Sequence, residues 1–160
     1  MPNQDHAIRE ELLAFLKGGH AHATLDDAVK EFPSSLYAKK PKGTPHNAWQ
    51  QLEHIRITLH DLVEFCTNPN YSAVKWPEEY WPRNESPASS EEWDASVKGL
   101  HKNLRAFEKI IQDPNVNLYA KIPWGDGQTI LREALLAIDH TSYHVGQLIM
   151  LRKQLGEWKG

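Results

Sequence analysis

Long runs of apolar residues at helical spacing constrain the fold of this 160-residue chain more than any other feature. One run lies between residues 45 and 67, where five side chains recur in alternating three- and four-residue steps: Leu52, Ile55, Leu59, Leu62 and Cys66. This alternation places them along one side of an α-helix, which must pack against another element to leave water. A second run follows Trp93 and a third follows Thr129. The period and length of these runs predict three long amphipathic helices that pack together.

Capping residues and helix breakers mark the predicted ends of these helices. Thr44-Pro45 predicts a helix start, since threonine caps a helix well and proline suits its first position. Ser89-x-x-Glu92 has the spacing of a capping box and predicts a second start. Asp126 or Thr129 is expected to cap the last helix. The predicted long helices span residues 45–67, 89–113 and 129–155, and a shorter, broken helical region precedes them.

These elements predict an all-α fold. No alternating strand pattern competes with the helical runs, and the sequence has no internal repeat. Three long helices and a shorter N-terminal one make a four-helix bundle with long ordered loops, and residues 1–160 are expected to form a single domain. The loop at residues 68–88 is rich in proline and aromatic residues. Proline opposes a regular helix, so we expect an ordered loop that is either a lid over a pocket or a cover for core edges.

Charge and composition exclude several classes of partner. The net charge is −3, with no basic block, so a nucleic-acid partner is not expected. No apolar run approaches the 18 or so residues of a membrane span. The N-terminus is polar and lacks the apolar core of a secretory signal. Cys66 is the lone cysteine, which excludes an intrachain disulfide and suits a reducing compartment. A cytoplasmic protein is therefore expected.

Two histidines near the C-terminus carry the first sign of chemistry. His140 and His144 are four residues apart in a predicted helix, so both imidazoles project from one face about a turn apart. Such a pair can bind one divalent metal ion. The same spacing also fits two partly buried histidines that are only hydrogen bonded. The residue after His140 is Thr141 and not glutamate, which removes the zinc-protease interpretation.

His54 is the candidate for a third metal ligand. It lies on another long helix, in a stripe that flanks the predicted apolar seam. On the last helix, His140 and His144 also flank the face predicted to be buried, which consists of Leu131, Leu135, Ile138, Val145 and Ile149. Three histidines from two helices would leave positions open for water or substrate, which is typical of catalytic sites.

These segments resemble a known family. The segment from Leu131 to Arg152, with His-x3-His followed by Gly146-Gln147, closely resembles the last helix of DinB-like (DinB/YfiT) proteins. The stretch Trp49–Ile55 resembles their first metal-ligand segment, and Gly125–Thr129 is similar to one branch of the family. The resemblance covers residues 5–156. The late motif is fairly specific, whereas the early motif alone would be weak.

The resemblance implies a four-helix bundle, often a homodimer, that holds a divalent metal with three histidines. These correspond to His54, His140 and His144. Zinc and nickel are commonly bound by such proteins, and related members also use manganese or iron. Some relatives are metal-dependent thiol S-transferases or isomerases that use small thiols, while many have no assigned reaction. A metal held by three neutral imidazoles keeps its full positive charge and lowers the pKa of a bound water or thiol, so hydrolysis and thiol transfer both remain open.

Five polar residues are candidates to orient the imidazoles or a bound water: Glu53, Asp61, Asp139, Tyr143 and Gln147. For Glu53 and Asp139 we favour a solvated or capping role. Cys66 lies on the apolar seam, where a buried and inert thiol is expected. Two alternatives to an enzyme remain. One is a bundle in which the metal is only structural, and the other is a metal-free interaction module with packed histidines.

Overall fold

Five α-helices build the protein in the computed structural model, which describes residues 2–158. They are α1 (Pro2–Lys17), α2 (Leu25–Val29), α3 (Ala48–Thr67), α4 (Ser90–Gln112) and α5 (Ile130–Gln154). Single 3-10 turns lie at Ser34–Leu36 and Glu78–Tyr80. In the described part of the chain, the only strand-like pairing is one isolated bridge between Lys121 and Thr129. The prediction of an all-α fold is confirmed.

The four long helices form the bundle. Helix α3 packs along both α4 and α5, α1 packs against the same two helices, and the short α2 lies on α5. The apolar seam predicted for α3 belongs to the core of the protein, because Leu52, Ile55 and Leu59 are fully buried. No helix between residues 2 and 158 is both long and apolar enough to cross a membrane.

The starts of α4 and α5 agree with their predicted caps. The side chain of Ser89 accepts a hydrogen bond from the amide of Glu92, and that of Thr129 accepts one from the amide of Arg132. Each bond satisfies one of the amides that a helix start leaves unpaired. Two of the long helices therefore begin where the sequence predicts.

The predicted start of α3 at Thr44-Pro45 is wrong, because Asn47 caps the helix instead. Its side chain accepts from the Gln50 amide at 2.9 Å, and the Gln50 side chain accepts from the Asn47 amide at 3.1 Å. The Asn47 amide group also donates to the carbonyl of Glu85 at 2.7 Å. Asn47 is fully buried, and its capping box with Gln50 and its bond to the carbonyl of Glu85 together favour this start over Thr44-Pro45.

The face of α5 that is buried also differs from the prediction. Of the residues predicted inside, Val145 is buried, but Leu135 is 53% exposed, and Leu131, Ile138 and Ile149 are only partly buried. The inner face is the stripe that carries the histidines: Glu133, Ala134, Ala137, His144, Val145, Leu148, Leu151 and Arg152. Small alanines let helices approach closely, and the polar members are hydrogen bonded. Helical periodicity identified the stripe that carries the histidines, but hydrophobicity alone assigned the neighbouring stripe of leucines and isoleucines to the core.

Two buried arginines donate hydrogen bonds to backbone carbonyls at the ends of neighbouring helices. Arg9 on α1 donates to the carbonyls of Ile111, Asp113 and Val116 at 2.5, 3.0 and 2.6 Å, at the end of α4. Arg152 on α5 makes the same kind of contact with carbonyls at the end of α2. The last carbonyls of a helix have no partner within it, so each guanidinium ties one helix to the end of another.

Candidate metal centre

Three imidazoles from two helices converge inside the bundle. His54 comes from α3, and His140 and His144 come from successive turns of α5. One ring nitrogen of each lies within 4.8 Å of the others, and the Nε2 atoms of His54 and His140 are 3.0 Å apart. His54 is 2% exposed and His144 is also buried. The structure thus brings together the three residues that the sequence proposed as metal ligands.

Hydrogen bonds to carbonyl oxygens fix the tautomers of two of these rings. The Nδ1 atom of His54 lies 2.7 Å from the backbone carbonyl oxygen of Tyr80, and Nδ1 of His144 lies 2.6 Å from Oε1 of Gln51. An oxygen of this kind only accepts, so each Nδ1 must carry the proton. The Nε2 atoms then keep their lone pairs, which is the state required of a metal ligand.

Gln51 is held in turn by Gln147. The amide nitrogen of Gln51 donates to Oε1 of Gln147 at 2.5 Å. Gln147, one of the sequence candidates, therefore reaches the centre through Gln51 and touches no imidazole directly. Gln51 is not among the residues that the sequence singled out as candidates. Its spacing of three residues from His54 places it one turn away on the same face, which is the signal that was available.

Burial keeps the imidazoles neutral. It is the main cause that lowers the pKa of His140 to about 4 and that of His144 to about 3, with further lowering by the neighbouring histidines. Burial also lowers the pKa of His54. Near neutral pH all three rings carry a lone pair and no charge. Neutral imidazoles are good ligands for zinc, nickel and iron, so the donor set fits a divalent ion of this class.

The aromatic loop at residues 68–88 packs over this centre. Trp81 stacks on the ring of His54 with centroids 3.9 Å apart and an interplanar angle of 2°. Its other face stacks on His46 at 3.7 Å. Together with the carbonyl of Tyr80, these contacts show that the loop orders the candidate ligand His54 and covers it. Sequence reasoning noted the aromatic residues of this loop but did not connect them, or His46, with the site.

Asp61 meets the centre only through Tyr80. Its two carboxylate oxygens accept hydrogen bonds from the hydroxyls of Tyr71 at 2.9 Å and Tyr80 at 2.6 Å. Tyr80 therefore links Asp61, through its hydroxyl, to His54, through its carbonyl. Asp61 anchors the loop that holds His54, and it makes no direct contact with an imidazole in the described structure.

The remaining candidates lie at the edge of the centre or away from it. Tyr143 is 64% exposed and sets its ring edge-on against His144, with centroids 4.9 Å apart. Glu53 binds Arg56 of the same helix at 2.7 Å and accepts a hydrogen bond from Ser96 on α4. Asp139 is exposed on α5. Cys66 is buried, and burial raises its pKa to about 12, which agrees with an inert thiol.

A cavity of about 550 Å³ opens beside His140. The aromatic loop, the segment around Trp124 and the facing sides of α3 and α5 form its walls. Volumes of this size are typical of sites for small molecules. Its polar side chains are Thr58, Asp61, Asp126, Gln128, Arg132 and Glu133. A metal at the histidines would thus lie next to a space that a small substrate could enter.

Similarity to known proteins agrees with this geometry. A model described as the DinB family matches residues 6–159, which is nearly the whole chain. The chain belongs to the DinB family. No curated protein and no solved structure matches it significantly. Membership of the DinB family and the three converging histidines together support a divalent-metal site in this protein.

Proposed function

We propose that this DinB-family protein is a divalent-metal-dependent enzyme of the thiol S-transferase or hydrolase type. His54, His140 and His144 would hold the ion, with zinc or nickel as the favoured metal and manganese or iron as further candidates. When bound, the ion would supply a Lewis acid that lowers the pKa of a water or a small thiol. The observation that carries the proposal is that the imidazole cluster has fixed tautomers and adjoins a cavity of about 550 Å³.

The residues around the cluster have separate tasks in this proposal. Gln51 and the Tyr80 carbonyl hold His144 and His54 in the ligand tautomer. Trp81 covers His54 and keeps bulk water from that side of the centre. Thr58 and Glu133 line the cavity beside His140, where they would contact a substrate or a bound water. Three protein ligands leave at least one position for an exogenous group, which is typical of catalytic sites.

A structural metal is the second candidate. The deep burial of His54 and its cover by Trp81 favour this alternative, because structural sites are usually closed to solvent. In that case the ion would only join α3 to α5. The two proposals share the ligands and differ in whether a small molecule reaches the metal.

Metal analysis of protein purified without a histidine tag tests the ligands. We expect one divalent ion per chain, lost in His54→Ala and His144→Ala. His60→Ala is the matched control, since His60 is an exposed histidine on the same helix as His54. Full metal retention in both ligand variants would refute the site. Loss in the His60 variant as well would point to nonspecific binding.

Cobalt substitution separates the enzyme from the structural metal. In an open site, adding a small thiol to the cobalt protein should produce a sulfur-to-cobalt charge-transfer band, and a closed site should give no change. Panels of thiol acceptors and esters then distinguish a transferase from a hydrolase. No turnover with either panel, together with an unresponsive cobalt spectrum, would favour the structural role.

We also propose that the protein is a homodimer, as the family resemblance implies. Support comes from α5, where Tyr143 and Met150 are large exposed side chains two turns apart on one face. Light scattering on purified protein should give twice the mass of the 18.3 kDa chain. Met150→Glu should shift the mass toward the monomer. A monomer at all concentrations would refute the proposal.

A further inference from the structure

The cavity beside His140 has a charge and a lining that select its ligand. Five aromatic side chains line it: Phe65, Tyr71, Trp76, Tyr80 and Trp124. Three carboxylates and a single arginine lie among them, so the formal charge of the lining is two units negative. The face of an aromatic ring attracts a cation, and this attraction is stronger where the site is desolvated and carboxylates are near.

The aromatic rings are arranged in two edge-to-face pairs. Phe65 and Tyr71 have centroids 5.0 Å apart at 65°, and Trp76 and Tyr80 have centroids 5.2 Å apart at 62°. In such a pair one ring contributes its edge and the other keeps one face open. Trp76 is 70% exposed, which is unusual for a side chain of this size and places an indole surface within reach of a ligand at the cavity.

The acids of the cavity are held as acceptors. Both oxygens of Asp61 receive tyrosine hydroxyls. Glu133 is buried and binds Arg132 through both oxygens, at 2.9 and 3.1 Å. Among the described residues, only the three histidines form a group that could hold a metal ion, and these acids are not part of it. The negative charge is therefore suited to an organic cation and not to a second metal.

A separate observation points to a ligand at the same place. Thr58 lies one turn beyond His54 on α3, lines the cavity and is more than nine-tenths buried. In the described structure its hydroxyl oxygen has no hydrogen-bond partner. A buried hydroxyl without a partner costs free energy, so an unexplained one is expected to find its partner in a bound molecule or water.

From these contacts we infer that the cavity binds a small organic molecule with an ammonium group, held by the aromatic rings and Asp61, with its reacting end toward His140. This inference rests on the proposed function for the reacting end, and the ammonium site itself depends only on the cavity. The volume of about 550 Å³ admits a molecule with one aromatic ring or a short chain besides the ammonium group.

Calorimetric titration of the metal-analysed protein tests the inference with three probes of similar size. They are benzyltrimethylammonium, which cannot ligate a metal, neutral benzyl alcohol and anionic benzenesulfonate. We expect the cation to bind roughly tenfold or more tightly than the alcohol, because a desolvated cation over aromatic rings gains on that order. The sulfonate should bind most weakly. A cation that binds no more tightly than the alcohol would overturn the inference.

Two variants locate the binding. Asp61→Asn should remove most of the preference for the cation, while Asp139→Asn, which removes an exposed acid of α5 outside the cavity lining, should keep it. Trp76→Ala changes an exposed side chain, so the variant protein should still fold. It should weaken the binding of the cation several-fold without weakening the binding of the sulfonate. Cation binding that is unchanged in both Asp61→Asn and Trp76→Ala would refute the cavity as the site. Absence of metal from the same sample would refute the proposed enzyme, whereas the comparison of the cation with the alcohol decides the ammonium site.

Discussion

Replacing Gln51 by leucine should weaken metal binding although Gln51 touches no metal. Its Oε1 atom accepts the Nδ1 proton of His144 at 2.6 Å, and this bond keeps the lone pair on Nε2. Leucine has a similar volume and no acceptor. In the metal-free Gln51→Leu variant, the proton of His144 can move from Nδ1 to Nε2, so that Nδ1 is no longer a donor without a partner. Metal binding must then reverse that change and leave a buried N–H without a partner.

The size of the effect follows from that orphaned group. An unsatisfied buried donor costs about 1–3 kcal/mol. Since about 1.4 kcal/mol is tenfold in affinity, the metal should bind roughly 10–100-fold more weakly, which is the usual effect of removing a partner of a metal-bound histidine. Gln51→Glu keeps an acceptor for Nδ1, so its affinity should equal or exceed that of the wild type.

Competition with a chromophoric chelator for zinc measures these affinities at neutral pH. Gln112→Leu is the matched control, because Gln112 is exposed at the end of α4, a helix without a ligand. Circular dichroism and a thermal melt of the metal-free proteins show whether each variant is folded. Zinc affinity of Gln51→Leu equal to that of the wild type would refute the argument that this bond sets the tautomer of His144.

Three further predictions concern stability. Arg9→Met should lower the free energy of unfolding by about 3 kcal/mol in a urea titration, because hydrogen bonds from a charged donor to three carbonyls are lost, and Arg9→Lys should not restore it. Phe107→Ala should cost about 3–5 kcal/mol in the same assay, since Phe107 is 0% exposed and leaves a cavity; a loss under 1 kcal/mol would contradict its place in the core. Burial raises the pKa of Glu53, but the hydrogen bonds from Arg56 and Ser96 outweigh burial and lower this pKa below its ordinary value of 4.5. The ionised Glu53 carboxylate therefore stabilises the folded protein above about pH 4.5, and this stabilisation is lost as the pH falls through the pKa of the folded state. The stability difference between wild type and Glu53→Gln should therefore shrink below about pH 4.5, and a difference independent of pH would contradict the assignment.

The sequence allowed most of the helices and the three histidines to be predicted, because both depend on local spacing. Apolar side chains every three or four residues define a helix wherever its partners lie, and two histidines four apart share a face in any helix. The start of α3 is predicted at the wrong residue because two local cap patterns compete there. Thr44-Pro45 suits a helix start, and Asn47 and Gln50 have the spacing of a capping box three residues later. The bond from Asn47 to the carbonyl of Glu85 joins residues 38 positions apart, and such a contact leaves no local pattern that would favour one start over the other.

The inner face of α5 shows a second limit. Hydrophobicity favours Leu135 as a core residue and disfavours Glu133, yet Leu135 is exposed and Glu133 is buried against Arg132. A polar side chain is stable inside when its hydrogen bonds are satisfied, and the partner that satisfies it depends on tertiary structure. Where a functional site replaces part of the apolar core, the hydrophobic pattern is expected to mislead, and here the error falls on the helix with two candidate ligands.

The contacts of Tyr80 join the metal centre, the loop and the cavity into one coupled unit. Its carbonyl sets the tautomer of His54, its hydroxyl binds Asp61, and its ring lines the cavity. A ligand that packs on this ring favours the loop position in which the carbonyl reaches His54, and a metal that requires that tautomer favours the same position. Because such linkage is reciprocal, metal and ligand must each strengthen the binding of the other if both depend on this loop. One residue in a proline-rich loop, with no ligand chemistry of its own, therefore connects the two proposed binding events.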